Sequence, residues 1–142
     1  MKPAPFKNAA PCPCDSTLPY AECCGRWHVG LSGGLHALTP EALMRSRYCA
    51  YVLGLSDYLL ATWHVSTAPG DFELPQVKWL GLDVRHAESV GDAGVVEFVA
   101  RCRSFQLAGG RAERMHEISR FVRLNGRWYY IDGQFAQLQE EA

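Results

Sequence analysis

Four of the six cysteines fall within thirteen residues, as Cys12-Pro13-Cys14 and, after an eight-residue gap, Cys23-Cys24. Thiolates in this arrangement can close around one ion, and zinc takes four tetrahedral ligands with sulfur about 2.3 Å away. Pro11 and Pro13 stiffen the first pair, and Asp15, Ser16 and Pro19 supply turn chemistry in the returning loop. Adjacent cysteines can share an ion when the first residues of a helix hold them, because free amides there stabilise thiolates. Four thiolates on one zinc leave a charge of about −2. Lys7, Arg26 and His28 are the nearby donors that would offset it, and His28 is the spare ligand should Cys24 point elsewhere. Disulfides within Cys-Pro-Cys or Cys-Cys would be strained, and cross-pairing needs an oxidising compartment. Iron–sulfur ligation also fits the count. The preferred reading is a structural zinc site on Cys12, Cys14, Cys23 and Cys24, because a filled coordination sphere leaves no position for a substrate.

A second set of residues could serve a pocket. Trp63 and His64 end a helical stretch, Trp79 lies on a strand, and His116 and Arg120 share one strand parity. An enzyme would use a histidine as general base and an arginine to hold an anion. The same residues read equally as ordinary fold positions: histidine suits a helix C-terminus, and aromatic residues at strand spacing are usually core. No triad or carboxylate pair is evident. Arginines from Arg101 to Arg123 could form an RNA-binding face, but their parity is mixed and acidic residues intervene. The isolated Cys49 and Cys102 read as buried, inert thiols.

The rest of the chain must position these groups. It has 142 residues, 48% apolar and 20% charged, with a net charge of −1. That balance gives no long-range pull toward nucleic acid or an anionic membrane. No apolar run is long enough to span a bilayer, and residues 1–10 hold no apolar signal segment. A cytoplasmic protein is expected, and cysteines clustered in a reducing compartment more often hold metal than form disulfides.

Residues 1–38 are expected to form the cysteine motif and a Gly-rich linker, and residues 39–142 a single domain. Thr39-Pro40-Glu41 starts a helix, apolar residues follow at three- and four-residue steps through Leu55, and Gly54 ends it. Ser56 begins a shorter helix. The second half alternates in strand fashion, with turns at 91–94 and 108–110 and a two-residue hairpin at Asn125-Gly126. Two helices followed by about four antiparallel strands argue for an α+β fold.

The string CPCDSTLPYAECCGRWH (12–28) resembles the SEC-C motif at the end of the translocase ATPase SecA, with Cys24 where the motif has His or Cys. The motif commonly has Gly after its second cysteine, where this chain has Asp15. Residues 41–64, with VKWLGL (77–82), VEFVAR (96–101) and SRFVRLNGRWYYIDG (119–133), resemble the YchJ family of small bacterial proteins. That resemblance implies a domain of the nuclear-transport-factor-2-like fold, a curved antiparallel sheet wrapped on helices into a cone, behind an N-terminal zinc knuckle. It brings no activity with it.

The expectation is therefore a zinc-binding protein without enzymatic activity that docks a protein partner, by analogy from the export or translation machinery. The alternative is a small-molecule carrier or enzyme using the cone. Pairing through the open sheet would make a homodimer.

Overall fold

The computed structural model describes residues 8–104 and 111–140, the side chains of 136–140 excepted. Lys7 and the turn expected at 108–110 lie outside the described residues. Helix α1 spans Cys24–Gly30, α2 Pro40–Leu53 and α3 Ser56–Ala61. Strands β1 (Val77–Val90), β2 (Ala93–Ser104), β3 (Glu113–Leu124) and β4 (Arg127–Glu140) form one antiparallel meander in the order β1-β2-β3-β4.

Helix α2 is bounded by local chemistry. The Thr39 Oγ1 accepts from the Ala42 amide at 3.0 Å, Pro40 occupies the first helical position, and Gly54 closes the end at φ 76°. A left-handed residue there lets the Gly54 N–H reach the Ala50 carbonyl. Asn125 and Gly126, at φ 52° and 79°, make the tight turn between β3 and β4. The turn between β1 and β2 is shorter than the four residues expected. Only Gly91 and Asp92 stand between the paired Val90 and Ala93, and strand pairing continues through Gly94.

One face of the sheet packs on α2. Val96, Phe98 and Ala100 of β2 and Phe121 of β3 are buried there with Leu43, Met44 and Tyr48. Cys12, Cys14, Cys23, Cys24, Tyr20 and Trp27 belong to the same continuous core. The expected Gly-rich linker is partly ordered: α1 runs to Gly30 and a 3-10 turn covers Leu31–Gly33. After α3 the chain lies along β4, with the His64 N–H on the Tyr130 carbonyl at 2.8 Å and the Tyr130 N–H on the Thr62 carbonyl at 2.9 Å.

Candidate metal centre

The motif closes on itself before it meets the body. Pro11 and Pro19 face each other in an antiparallel bridge. The Cys12 N–H donates to the Leu18 carbonyl at 2.9 Å, and the Asp15 N–H donates to the Cys12 carbonyl at 3.1 Å. Those bonds turn the Cys12 and Cys14 sulfurs inward. The loop returns at Cys23, and Cys24 opens α1. Gly25 is needed at the next position, because a Cβ there would lie 2.7 Å from the Tyr20 carbonyl oxygen.

Asp15 stands where the motif commonly has glycine. Its φ is 62°, a left-handed conformation that aspartate tolerates better than most residues. Its carboxylate accepts from the Leu82 N–H of β1 at 3.0 Å. The departure from glycine thus adds a bond from the motif to the sheet.

The sulfurs of Cys12, Cys14, Cys24 and Cys49 all lie within 4.8 Å of one another, and all four residues are buried. Cys49 comes from α2, 37 residues beyond Cys12, and the two sulfurs are 3.4 Å apart. Cys23 stands at the edge of this group, 3.6 Å from Cys14 and 4.0 Å from Cys24, with its sulfur 3.0 Å from Ser16 Oγ. A tetrahedral metal–thiolate centre needs sulfurs about 3.8 Å apart, given bonds of that type. The donor set fits such a centre in type, number and spacing. Cys49 is buried, as expected, but it is part of the cluster rather than an isolated thiol.

The four sulfurs cannot all ionise together without a cation between them. Contacts with Cys12 first, then with Cys24 and Cys49, hold the Cys14 thiol far below its ordinary range. Contacts with Cys12 and Cys14 push the Cys24 and Cys49 thiols far above it. Positive charge approaches from two sides: Arg45 Nη1 donates to the Cys14 carbonyl at 2.8 Å, and Arg26 Nε donates to the Cys23 carbonyl at 3.0 Å.

His28 has no nitrogen left for a metal. Its Nε2–H donates to the Ser46 carbonyl at 2.8 Å, so neutral Nδ1 accepts from the Tyr20 hydroxyl at 2.6 Å. Burial pushes the imidazole below its ordinary value, which favours this neutral form; the Ser46 carbonyl pulls the other way. Ser46 Oγ donates to the Leu43 carbonyl and accepts from the Tyr58 hydroxyl at 2.7 Å. The motif is thereby hydrogen-bonded through α2 to α3.

A cavity of about 80 Å³ lies between α2 and the sheet. Of the five sequence candidates for a pocket, Trp79 lines it. Trp63 packs beside it, edge to face on Phe72 and Tyr130. His64 lies outside, its Nδ1 2.6 Å from Ser66 Oγ. His116 and Arg120 are on the opposite face of the sheet: His116 Nε2 meets Glu97 Oε2 at 2.7 Å, and Arg120 makes a two-pronged pair with Asp132. Strand parity is the reason, since Met115, Glu117, Ser119 and Phe121 occupy the inward positions of β3.

The polar end of the cavity is instead Arg47 and Glu117. Arg47 Nη1 donates to the Leu59 carbonyl and to Thr62 Oγ1, each at 2.8 Å, and its guanidinium lies 4.5 Å over the Tyr130 ring. Glu117 accepts from Ser119 Oγ at 2.7 Å. Burial raises the Glu117 carboxyl above its ordinary value, against the Ser119 bond and the Arg47 charge. A carboxyl raised on folding favours the folded state below its unfolded pKa, and that contribution is lost as pH rises through the folded value. Glu117→Gln should therefore gain stability relative to the parent protein at neutral pH and show no gain at pH 4. Urea unfolding at the two pH values measures this, and equal differences at both would contradict it.

A four-stranded antiparallel sheet wrapped on helices, with a cysteine motif built into its core, defines an α+β protein of the nuclear-transport-factor-2-like class. Family models agree in both parts: "YchJ, middle NTF2-like domain" matches residues 39–133 and "SEC-C motif" matches residues 10–26. The chain belongs to the YchJ family, whose curated members carry the name UPF0225. A UPF0225 protein of Bordetella parapertussis is 50% identical, over 94% of this chain and 98% of its own. One from Chromobacterium violaceum is 55% identical, over 89% and 94%. The solution structure of a SEC-C motif containing protein from Rhodopseudomonas palustris has a TM-score of 0.77 at 35% identity, over 90% of this chain and 100% of that one. The crystal structure of a SEC-C motif containing protein from Psychrobacter arcticus gives 0.72 at 26% identity, over 92% and 85%. Among the described residues no helix is long and apolar enough to cross a membrane.

Proposed function

We propose that this is a zinc-binding protein whose metal is structural, fixing the N-terminal motif (1–38) to the conical body (39–142) so that the pair docks a protein partner. The observation that carries it is the buried quartet of sulfurs at mutual distances suited to one tetrahedral ion. Cys12, Cys14 and Cys24 supply three ligands, and Cys23 or Cys49 the fourth. Such a centre works with reduced thiols, which supports a cytoplasmic location. The bound ion would supply charge neutralisation and cross-linking. The protein's residues fill its coordination sphere, and burial excludes water and substrate from it.

Leu18 and Val29 of the motif are exposed apolar side chains, at 46% and 74%, which supports contact with a protein partner. Nucleic acid is disfavoured because Arg85, Arg120 and Arg123 are paired with Asp83, Asp132 and Asp92. A second copy would pair across the outer sheet face, where Ile118 is exposed. Protein purified without chelator should hold one zinc per chain by elemental analysis, and a content well below stoichiometric would overturn the reading. The docking role requires that a partner held by the intact chain be lost on Val29→Glu with folding unchanged.

A second reading rests on the cavity with Arg47 and Glu117 at its polar end. A small ligand with an apolar body and one polar head would fit, and a thermal-shift screen of aromatic amines and carboxylates tests it.

A further inference from the structure

We infer that Cys49, from the body helix α2, is the fourth metal ligand, and that Cys23 stays outside the coordination sphere as a hydrogen-bond partner of the Cys14 sulfur. This rests on the metal-binding reading above and goes beyond it by making the ion a covalent-strength tie between motif and body. The sulfur positions carry the argument. Each of Cys12, Cys14, Cys24 and Cys49 is near the other three, so all six edges of a tetrahedron are present. Cys23 makes two such approaches, to Cys14 at 3.6 Å and Cys24 at 4.0 Å.

Local structure explains the difference. Cys24 is the first residue of α1, whereas Cys23 precedes the helix with φ −124° and ψ −116°. Cys23 is anchored to Ser16 Oγ at 3.0 Å on the motif's own side. Cys49 has no exposed surface, and it sits one helical turn beyond Arg45. The two residues therefore share a face of α2. Arg45 on that face holds the Cys14 carbonyl at 2.8 Å, so the helix brings a cation and a thiolate to the same centre. With Cys49 as ligand, Cys23 can donate its S–H to the Cys14 thiolate while accepting from Ser16, an outer contact of the kind that tunes metal–thiolate centres.

The test uses the full chain loaded with cobalt(II) in place of zinc, comparing the parent with Cys49→Ser and Cys23→Ser. The parent should show the charge-transfer and visible bands of a four-thiolate tetrahedral site. Cys23→Ser should keep them, while Cys49→Ser should lose roughly a quarter of the charge-transfer intensity as one of four thiolates goes. It should also release zinc to a chromogenic chelator at least tenfold faster than Cys23→Ser. The opposite order, or equal losses in both variants, would overturn the assignment. Should Cys49→Ser not fold, cadmium-113 correlation spectra of the parent identify the ligands directly. Coupling to the Cys49 β-protons and none to those of Cys23 is the expected result, and coupling to Cys23 in place of Cys49 would refute it. A parent that binds no metal at all would instead fail the zinc reading itself.

Discussion

Stripping metal from the proposed sulfur centre should weaken the whole domain, not merely loosen its N-terminal arm. The sulfurs are part of the same core as Leu43, Tyr48 and Phe98, and removing the ion leaves crowded buried thiols with nothing to screen them. Three further ties join motif to body: Asp15 to the Leu82 N–H, Arg45 to the Cys14 carbonyl and His28 to the Ser46 carbonyl. Structural zinc in small peptides contributes about 10–16 kcal/mol of binding energy at neutral pH, against a net domain stability of about 5–15 kcal/mol. Chelation should therefore lower the melting temperature by more than about 10 °C in a single transition. Hydrogen exchange should show lost protection in α2 as well as in residues 10–30. A motif that loses protection while α2 keeps it would make the motif an appendage on an independent body. An unchanged melting temperature after proven metal loss would remove the ion from the stability account.

What could be read from residue order divides along contact range. The Cys12-to-Cys24 motif, the Thr39 cap, the Gly54 stop and the Asn125-Gly126 hairpin each act within a dozen or so neighbouring residues, so their chemistry is visible without the fold. Cys49 carries no such signal. Its neighbour Cys12 is 37 positions away, and only the packing of α1 and α2 brings them together. Strand β3 shows a subtler limit. Alternation separates His116, Ile118, Arg120 and Val122 from Met115, Glu117, Ser119 and Phe121, yet each set mixes polar and apolar residues. The inward set is decided by α2 and Arg47, which accommodate Glu117, and not by hydrophobicity alone. The three- and four-residue steps of α2 put Arg47 on one face with Leu43, Met44 and Tyr48, but spacing alone does not show that its guanidinium is buried. The β4 strand runs past Asp132 to Glu140 because it pairs with β3 down to Glu113, a consequence of partner length rather than of local propensity.

Arg47 carries the other large expected effect. It is 5% exposed, and its guanidinium joins α2 to α3 through Leu59 and Thr62 while lying over the rings of Trp63 and Tyr130. Burial disfavours its charged form, and nearby Tyr51, Tyr130, Tyr58 and Glu117 oppose that shift. Arg47→Ala removes the stem that packs in the cavity wall, leaves the Leu59 carbonyl without this donor, and strands Glu117 without its nearby cation. Truncating a large buried side chain and leaving its hydrogen-bond partners behind costs about 3–5 kcal/mol, which is a large share of a domain's stability. Arg47→Met keeps most of the apolar stem and should recover about half of that loss. Arg47→Lys should do no better than Met, because an ammonium cannot reproduce the planar fork stacked between aromatic rings. Urea unfolding of the three metal-loaded variants decides the point. An alanine variant within about 1 kcal/mol of the parent would mean that the buried cation is tolerated rather than used. A lysine variant with parental stability would place the effect in charge alone.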